Sequence, residues 1–283
     1  MSGRDEGGAE RRHIGPVVRK EITIDATPEE VWEAWAEPEG IARWFVDRAE
    51  GRMEAGATIT WIFETFGYHL PIEVYEAERG RTLVFGGEPP GRPPALQEVH
   101  VRQEGGSTLL RLANSGFYEE DEEGVAGVDS GWEMALATLK HQLERHPGRR
   151  RVHRFVMRPA RFEYEDVVPH FTTAEGLRRW LAPGAELSPA PAELGSRVRV
   201  PASEELPVGL RGEVLARTPW EVLLSWPELD GVLGLKAFKM GEDRAVALDF
   251  SAWPEEGREA AVGDDLRAAL DRAVERLASA VTS

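Results

Sequence analysis

The chain contains no cysteine. Disulfides, thiolate nucleophiles, Cys-ligated zinc and iron–sulfur clusters are thereby excluded together. Its single asparagine, Asn114, is followed by Ser115 and Gly116, so no N-glycosylation sequon exists. No apolar run approaches the ~20 residues of a membrane-spanning helix, and no membrane insertion is expected. The opening MSGRDEGGAERRH lacks the apolar stretch of a secretory signal, so a cytoplasmic location is expected. Positive charge is scarce as well. Fifty Asp and Glu face 34 Lys and Arg, a net charge of −16. Such a field repels polyanions and argues against a nucleic-acid partner. The chemistry-bearing motifs are missing too: no GxGxxG, no P-loop, no HExxH and no GxSxG. The seven histidines are dispersed, with no two at i,i+4. Neither a metal nor another cofactor is expected.

What remains is 283 residues, 41% hydrophobic and 30% charged. That composition suits a soluble globular protein of about two domains. The chain repeats itself. EVWEAWAEPEGIARWF (30–45) lies over DVVPHFTTAEGLRRWL (166–181), so Trp35 meets Phe171 and Arg43-Trp44 meets Arg179-Trp180 at an offset of 136. Gly56 meets Gly195 at 139, and EVYEAERGRTLVF (73–85) lies over EVLARTPWEVLLS (213–225) at 140. A period this long means two copies of a domain, not a solenoid. The copies divide near His146-Pro147-Gly148-Arg149. The expected organisation is a disordered tail (1–15), a first domain (16–146) and a second, diverged domain (150–281). An arginine cluster follows the boundary: Arg149, Arg150, Arg151, Arg154, Arg158 and Arg161. It is expected to clamp the domains together through acidic surface.

Hydrophobic periodicity places a strand at Val18 to Ile24, with Val18, Lys20, Ile22 and Ile24 on one face. Thr27-Pro28-Glu29-Glu30 reads as a helix start, and Pro38 opens a second short helix through Ile41, Trp44 and Phe45. Strands follow at 58–65, 70–77 and 81–85, then a Pro/Gly loop at 86–94. Strands at 96–103 and 108–112 form a hairpin around Gly105-Gly106. A closing helix over 129–145 carries Trp132, Leu136, Leu139 and Leu143 on one face. Leu266, Leu270, Ala273, Val274 and Leu277 form the matching stripe in the second half. The acidic run 119–123 is expected to be a solvated loop.

TPEEVWEAWAEPEGIARWF and the terminal helix DSGWEMALATLKHQLE, with its Gly131-Trp132 pair, resemble the SRPBCC superfamily of START-related helix-grip proteins. The subgroup is the activator of Hsp90 ATPase homologue domain. The second copy keeps Glu175-Gly176-Leu177 and Trp180 but has Asp264-Asp265-Leu266 in place of the Gly-Trp pair. The resemblance implies an α+β fold of two tandem helix-grip (START-like) domains, each a curved antiparallel sheet wrapped around a long C-terminal helix. It also implies a cavity between sheet and helix for a small apolar molecule, lipid- or polyketide-like.

Binding without catalysis, mainly in the first domain, is therefore the expected function. The candidate lining is Trp35, Trp44, Ile59, Trp61, Phe63, Ile72, Val74, Phe85, Val99, Leu110, Leu112, Trp132, Leu136 and Leu139, since apolar ligand sites draw on aromatics. Any of these tryptophans can equally fill the core. The alternative is an enzyme, a cyclase, dehydratase or hydrolase of an apolar substrate. Its one candidate pair is Glu64 with His69, an acid–base pair at the cavity mouth, though a salt bridge at a hairpin end explains the same residues. A further alternative is a protein partner: a chaperone of the Hsp90 type, or a stress-response role. Against it, only a short polar tail precedes Val17, where the eukaryotic activators carry a separate N-terminal domain. His100 and Arg111 read as members of solvated strand faces.

Overall fold

The computed structural model describes residues 15–88, 94–240, 243–258 and 262–282. Almost all of the expected disordered tail, and residues 89–93 of the Pro/Gly loop, lie outside them. β1 (Val18–Ile24) leads through Thr27, whose hydroxyl caps Glu30 N–H while the Glu30 carboxylate returns to Thr27 N–H. This capping box starts α1 (Pro28–Ala36). Pro38 then opens α2 (Pro38–Ala42). β2 (Arg48–Gly51), β3 (Thr58–Phe63), β4 (Tyr68–Glu78), β5 (Thr82–Gly87), β6 (Ala95–Glu104) and β7 (Ser107–Ser115) follow, and α3 (Glu122–Arg145) closes the unit. The seven strands form one antiparallel sheet in the order β1-β7-β6-β5-β4-β3-β2. Lys20 on β1 reaches α3 through Asp129 (2.9 Å) and Glu133 (3.0 Å) and ties sheet to helix.

The second unit repeats every step: β8 (Val152–Ala160), α4 (Tyr164–Thr172), α5 (Ala174–Trp180), β9 (Glu186–Ser188), β10 (Arg197–Val200), β11 (Leu210–Arg217), β12 (Glu221–Trp226), β13 (Gly231–Met240), β14 (Asp243–Ala252) and α6 (Asp264–Thr282). Its sheet order, β8-β14-β13-β12-β11-β10-β9, matches the first strand for strand. The fold is two tandem helix-grip domains.

The repeated glycine has a steric cause. A Cβ on Gly40 would stand 2.0 Å from the Glu33 carbonyl, and one on Gly176 would stand 2.0 Å from the Pro169 carbonyl. Each short helix therefore packs its backbone against the end of the helix before it, and only glycine fits. The tryptophan that follows fastens the same pair. Trp44 Nε1 donates to Ala34 O (2.8 Å) and Trp180 Nε1 to His170 O (2.9 Å). In the first copy, Pro38 lacks the N–H that would otherwise meet the Ala34 carbonyl. The β-bulge recurs as well, between Val74 and Glu76 and between Val214 and Ala216.

Four expectations are corrected. The closing helix begins at Glu122 rather than 129, because the Asp121 side chain accepts from Gly124 N–H and the acids of the "solvated loop" fill the positive first turn. Gly86 and Gly87 belong to β5, and β7 runs on to Ser115. Phe85 pairs with Val74 as Leu224 pairs with Val214, so the counterpart of Phe85 is Leu224 and not Ser225. The arginine cluster is mainly a device of the second domain. Arg149 binds Trp253 O and Glu255, and Arg158 binds Glu275. Only Arg151 is seen to cross, donating to Val46 O (3.4 Å) and Ser251 Oγ (2.9 Å).

The junction is built elsewhere. α3 buries a second face: Met134 packs with Ala216, Leu223, Val232 and Trp253 of the second domain. That contact explains why all six residues of β12 are buried. Trp253 stacks on His146 (ring centroids 5.3 Å apart) and donates to Arg43 O at 2.7 Å. His153 faces Asp47 of the first domain at 2.6 Å through Nδ1 and Asp249 of its own at 3.0 Å through Nε2. Burial pushes the Asp249 carboxyl up, but Lys236, His153 and Arg151 outweigh it and hold the group far below the usual carboxylate range. Burial raises Glu221 at the far end of this network, against the pull of Lys236.

Candidate functional site

The grip of the first domain is closed by rings. α1 presents Trp35 on its buried face, and the turn after α2 presents Trp44 and Phe45. Strand alternation turns Ile59, Trp61 and Phe63 inward from β3 and Phe85 inward from β5. α3 supplies Trp132. Five of these side chains form a closed circuit. Trp35 lies 5.7 Å from Trp132, Trp132 5.3 Å from Phe45, Phe45 5.3 Å from Trp61, Trp61 5.5 Å from Phe85, and Phe85 6.2 Å from Trp35, centroid to centroid. Phe63 meets Phe45 edge-on from outside the circuit at 5.9 Å.

All the candidate lining residues fall in one contiguous cluster with this circuit. Ile59, Ile72, Val74, Val99, Leu110, Leu112, Leu136 and Leu139 surround it, and Phe63 lies half-buried at its margin. These side chains pack directly against one another. Cavities of about 430 Å³ and 500 Å³ lie at the domain junction instead, and no ring of the circuit lines either.

Two members of the site were missed in the sequence. Phe45 stacks on Trp132 at 17° and is only half-buried. Its signal was the change from RWF to RWL between the copies. Asn114, the only asparagine, is 6% exposed and accepts from Trp132 Nε1 at 2.8 Å. A lone buried amide in an amide-poor chain was the available clue.

The indole N–H groups divide sharply. Those of Trp44 and Trp132 have acceptors. Those of Trp35 and Trp61 are buried without one.

Glu64 and His69, the candidate pair of the enzyme alternative, share neither a hydrogen bond nor the hairpin-end salt bridge that was the other reading of them. β3 ends at Phe63, and Glu64–Phe66 coils into a short 3-10 turn closed by Gly67 at φ 58. The Glu64 carboxylate lies in solvent 3.9 Å from Arg48. His69 alternates with the inward residues Leu70 and Ile72 and so stands on the exposed outer face of β4. His100 and Arg111 also face solvent, beside Glu98 and Glu21 respectively. Among the described residues no cluster of His, Asp and Glu has the form of a metal site, and no helix is long and apolar enough to cross a membrane.

The second domain has the same positions with different contents. Its counterparts of Trp35, Phe45, Trp61, Phe85 and Trp132 are Phe171, Leu181, Val200, Leu224 and Leu266, all buried in its core. Its three buried tryptophans, Trp180, Trp226 and Trp253, each donate to a backbone carbonyl.

Comparison with known proteins places the first unit. Residues 25–144 match the family model described as "Activator of Hsp90 ATPase homolog 1-like protein". No curated protein matches the chain. Among solved structures, protein SSP2350 from Staphylococcus saprophyticus is similar at 24% identity, over 46% of this chain and 92% of that one, with a TM-score of 0.41. The Aha1 dimer from Colwellia psychrerythraea is similar at 21% identity, over 46% of this chain and 96% of that one (TM-score 0.41). The di-domain ARO/CYC BexL from the BE-7585A biosynthetic pathway is similar over 95% of this chain and 99% of its own, at 15% identity and a TM-score of 0.43.

Proposed function

Starting from residues 25–144 as a domain of the activator of Hsp90 ATPase homolog 1-like family, we propose that this domain binds one small, largely apolar molecule between its sheet and α3. The second domain serves as its structural partner. The observation that carries this reading is the aromatic circuit. Five rings gather at the grip of the first copy, while four of the five counterparts in the second are aliphatic. A fold that needed only a filled core is satisfied by the aliphatic set. Aromatic walls add flat, polarisable surface suited to ring-containing ligands. The rings of the circuit meet one another, so the ligand takes the place of a side chain, and half-buried Phe45 is the one at the margin.

Native mass spectrometry of the chain purified from its own host, followed by extraction, tests the reading. One small adduct per chain is expected, lost when Phe85 and Trp132 are both replaced by the leucine of the second copy. Two adducts of equal occupancy would overturn the division of labour. No adduct, with no thermal shift across a panel of lipids and polyketides, would overturn binding itself.

A further inference from the structure

Among the described residues, six buried side-chain nitrogen and oxygen atoms lack a hydrogen-bond partner. Two lie in the grip of the first domain, and both are indole N–H groups of the circuit: Trp35 Nε1 and Trp61 Nε1. Their side chains are sequestered, Trp35 at 0% exposure and Trp61 at 4%. A buried donor left unpaired costs about 1–3 kcal/mol, and folded proteins rarely leave one. The cost is avoidable at these positions, because the second copy builds the same sheet and helices with Phe171 and Val200 there. The indoles of Trp44, Trp132, Trp180, Trp226 and Trp253 all have acceptors, the first and third as a matched pair. Both rings that carry the unpaired donors border Phe85, at 6.2 and 5.5 Å between ring centroids. They are therefore not needed by the fold and not shared by the copy without the circuit.

We infer that the molecule held by the first domain is a ring compound bearing acceptor oxygen, carbonyl or hydroxyl, that pairs with the free indole N–H groups of Trp35 and Trp61. This inference rests on the binding reading above and specifies its ligand. The apolar body of the ligand replaces the Phe45 ring against Trp132, and its acceptor oxygen meets an indole N–H that is otherwise unpaired. Neither donor is charged, so they suit a neutral oxygen. A carboxylate would enter this interior without a cation to meet it, since the circuit and its surroundings are apolar.

A matched pair of probes isolates the oxygen: 1-indanone, a bicyclic ketone, and indane, the same skeleton without the carbonyl. Binding is followed by the indole ¹H–¹⁵N resonances of the full-length protein. The ketone is expected to bind about tenfold more tightly than the hydrocarbon, the effect of one hydrogen bond made to a previously unpaired donor. It should shift the Trp35 or the Trp61 indole resonance downfield, and indane should shift neither in that way. Replacing the shifted tryptophan, as Trp35→Phe or Trp61→Phe, should narrow the ratio of the two affinities. Equal affinity for the two probes would overturn the acceptor inference alone, as the N–H groups would then be spent on neighbouring ring faces. Failure of both probes to shift any first-domain resonance would overturn it together with the binding reading. The wild-type ratio decides the matter even if a variant misfolds.

Discussion

The two domains share their skeleton and differ in their filling. Gly40 and Gly176, Trp44 and Trp180, the bulges and the strand orders are duplicated, so they are what the helix-grip fold requires. The circuit of Trp35, Phe45, Trp61, Phe85 and Trp132 is present once, so it is what the fold does not require. Duplication makes the chain its own control: a residue kept in both halves is architectural, and one specific to a half is a candidate for function.

The sharpest break of the shared part is Gly40→Ala or Gly176→Ala. Each puts a methyl on a carbonyl oxygen 2.0 Å away, and each should cost about 3 kcal/mol or more in thermal unfolding. A large effect in one copy only would refute their equivalence. Next is the junction. His153→Ala removes the link between Asp47 and Asp249 and should cost about 2–3 kcal/mol, with one calorimetric transition splitting into two. An unchanged single transition would show that α3 and Trp253 alone hold the domains together.

A pH effect of similar size falls on the same junction. Burial, reinforced by His146, lowers His141 from 6.5 to about 4. The unfolded chain therefore takes the proton first as pH falls. The stability present above pH 6.5 is lost between about 6.5 and about 4, on the order of 3 kcal/mol. His141→Gln should flatten the dependence of Tm on pH over that window. An unaltered slope would assign the loss to other groups, His146 and His170 being shifted in the same direction.

A finer test separates satisfied from unsatisfied indoles. Trp44→Phe and Trp180→Phe each break a buried hydrogen bond, whereas Trp35→Phe and Trp61→Phe break none. The first pair should cost about 1–2 kcal/mol more than the second in chemical denaturation. Equal costs would mean that Trp35 and Trp61 have acceptors after all. Smallest of all, Glu64→Gln and His69→Ala, both in solvent, should change stability by less than about 0.5 kcal/mol. They should also leave ligand binding unaltered.

The sequence showed the architecture because the architecture is written twice. The Glu-Gly-Ile and Glu-Gly-Leu matches, the Arg-Trp pairs and the Gly56–Gly195 correspondence marked elements that the structure superposes. The apolar periodicities of β3, β4 and α3 named the residues that cluster in the grip. Three things were hidden. The start of α3 was masked by Gly124, Gly127 and five successive acids, a poor local helix signal that capping and the dipole rescue. The second buried face of α3 could not be seen, because Met134 is apolar only in relation to a domain that arrives later in the chain. The unpaired state of Trp35 and Trp61 is a property of three-dimensional neighbours, which strand alternation orients but does not enumerate.

The most direct test uses the nine tryptophans as reporters, five in the first domain and four in the second. With selectively ¹⁵N-labelled tryptophan, the indole resonances are recorded with and without the molecule recovered from the natural host. The expected result is perturbation centred on Trp35, Trp61 and Trp132, with Trp180 and Trp226 unmoved. Equal perturbation of Trp180 and Trp226, or of none of the nine, would contradict the assignment of binding to the first domain.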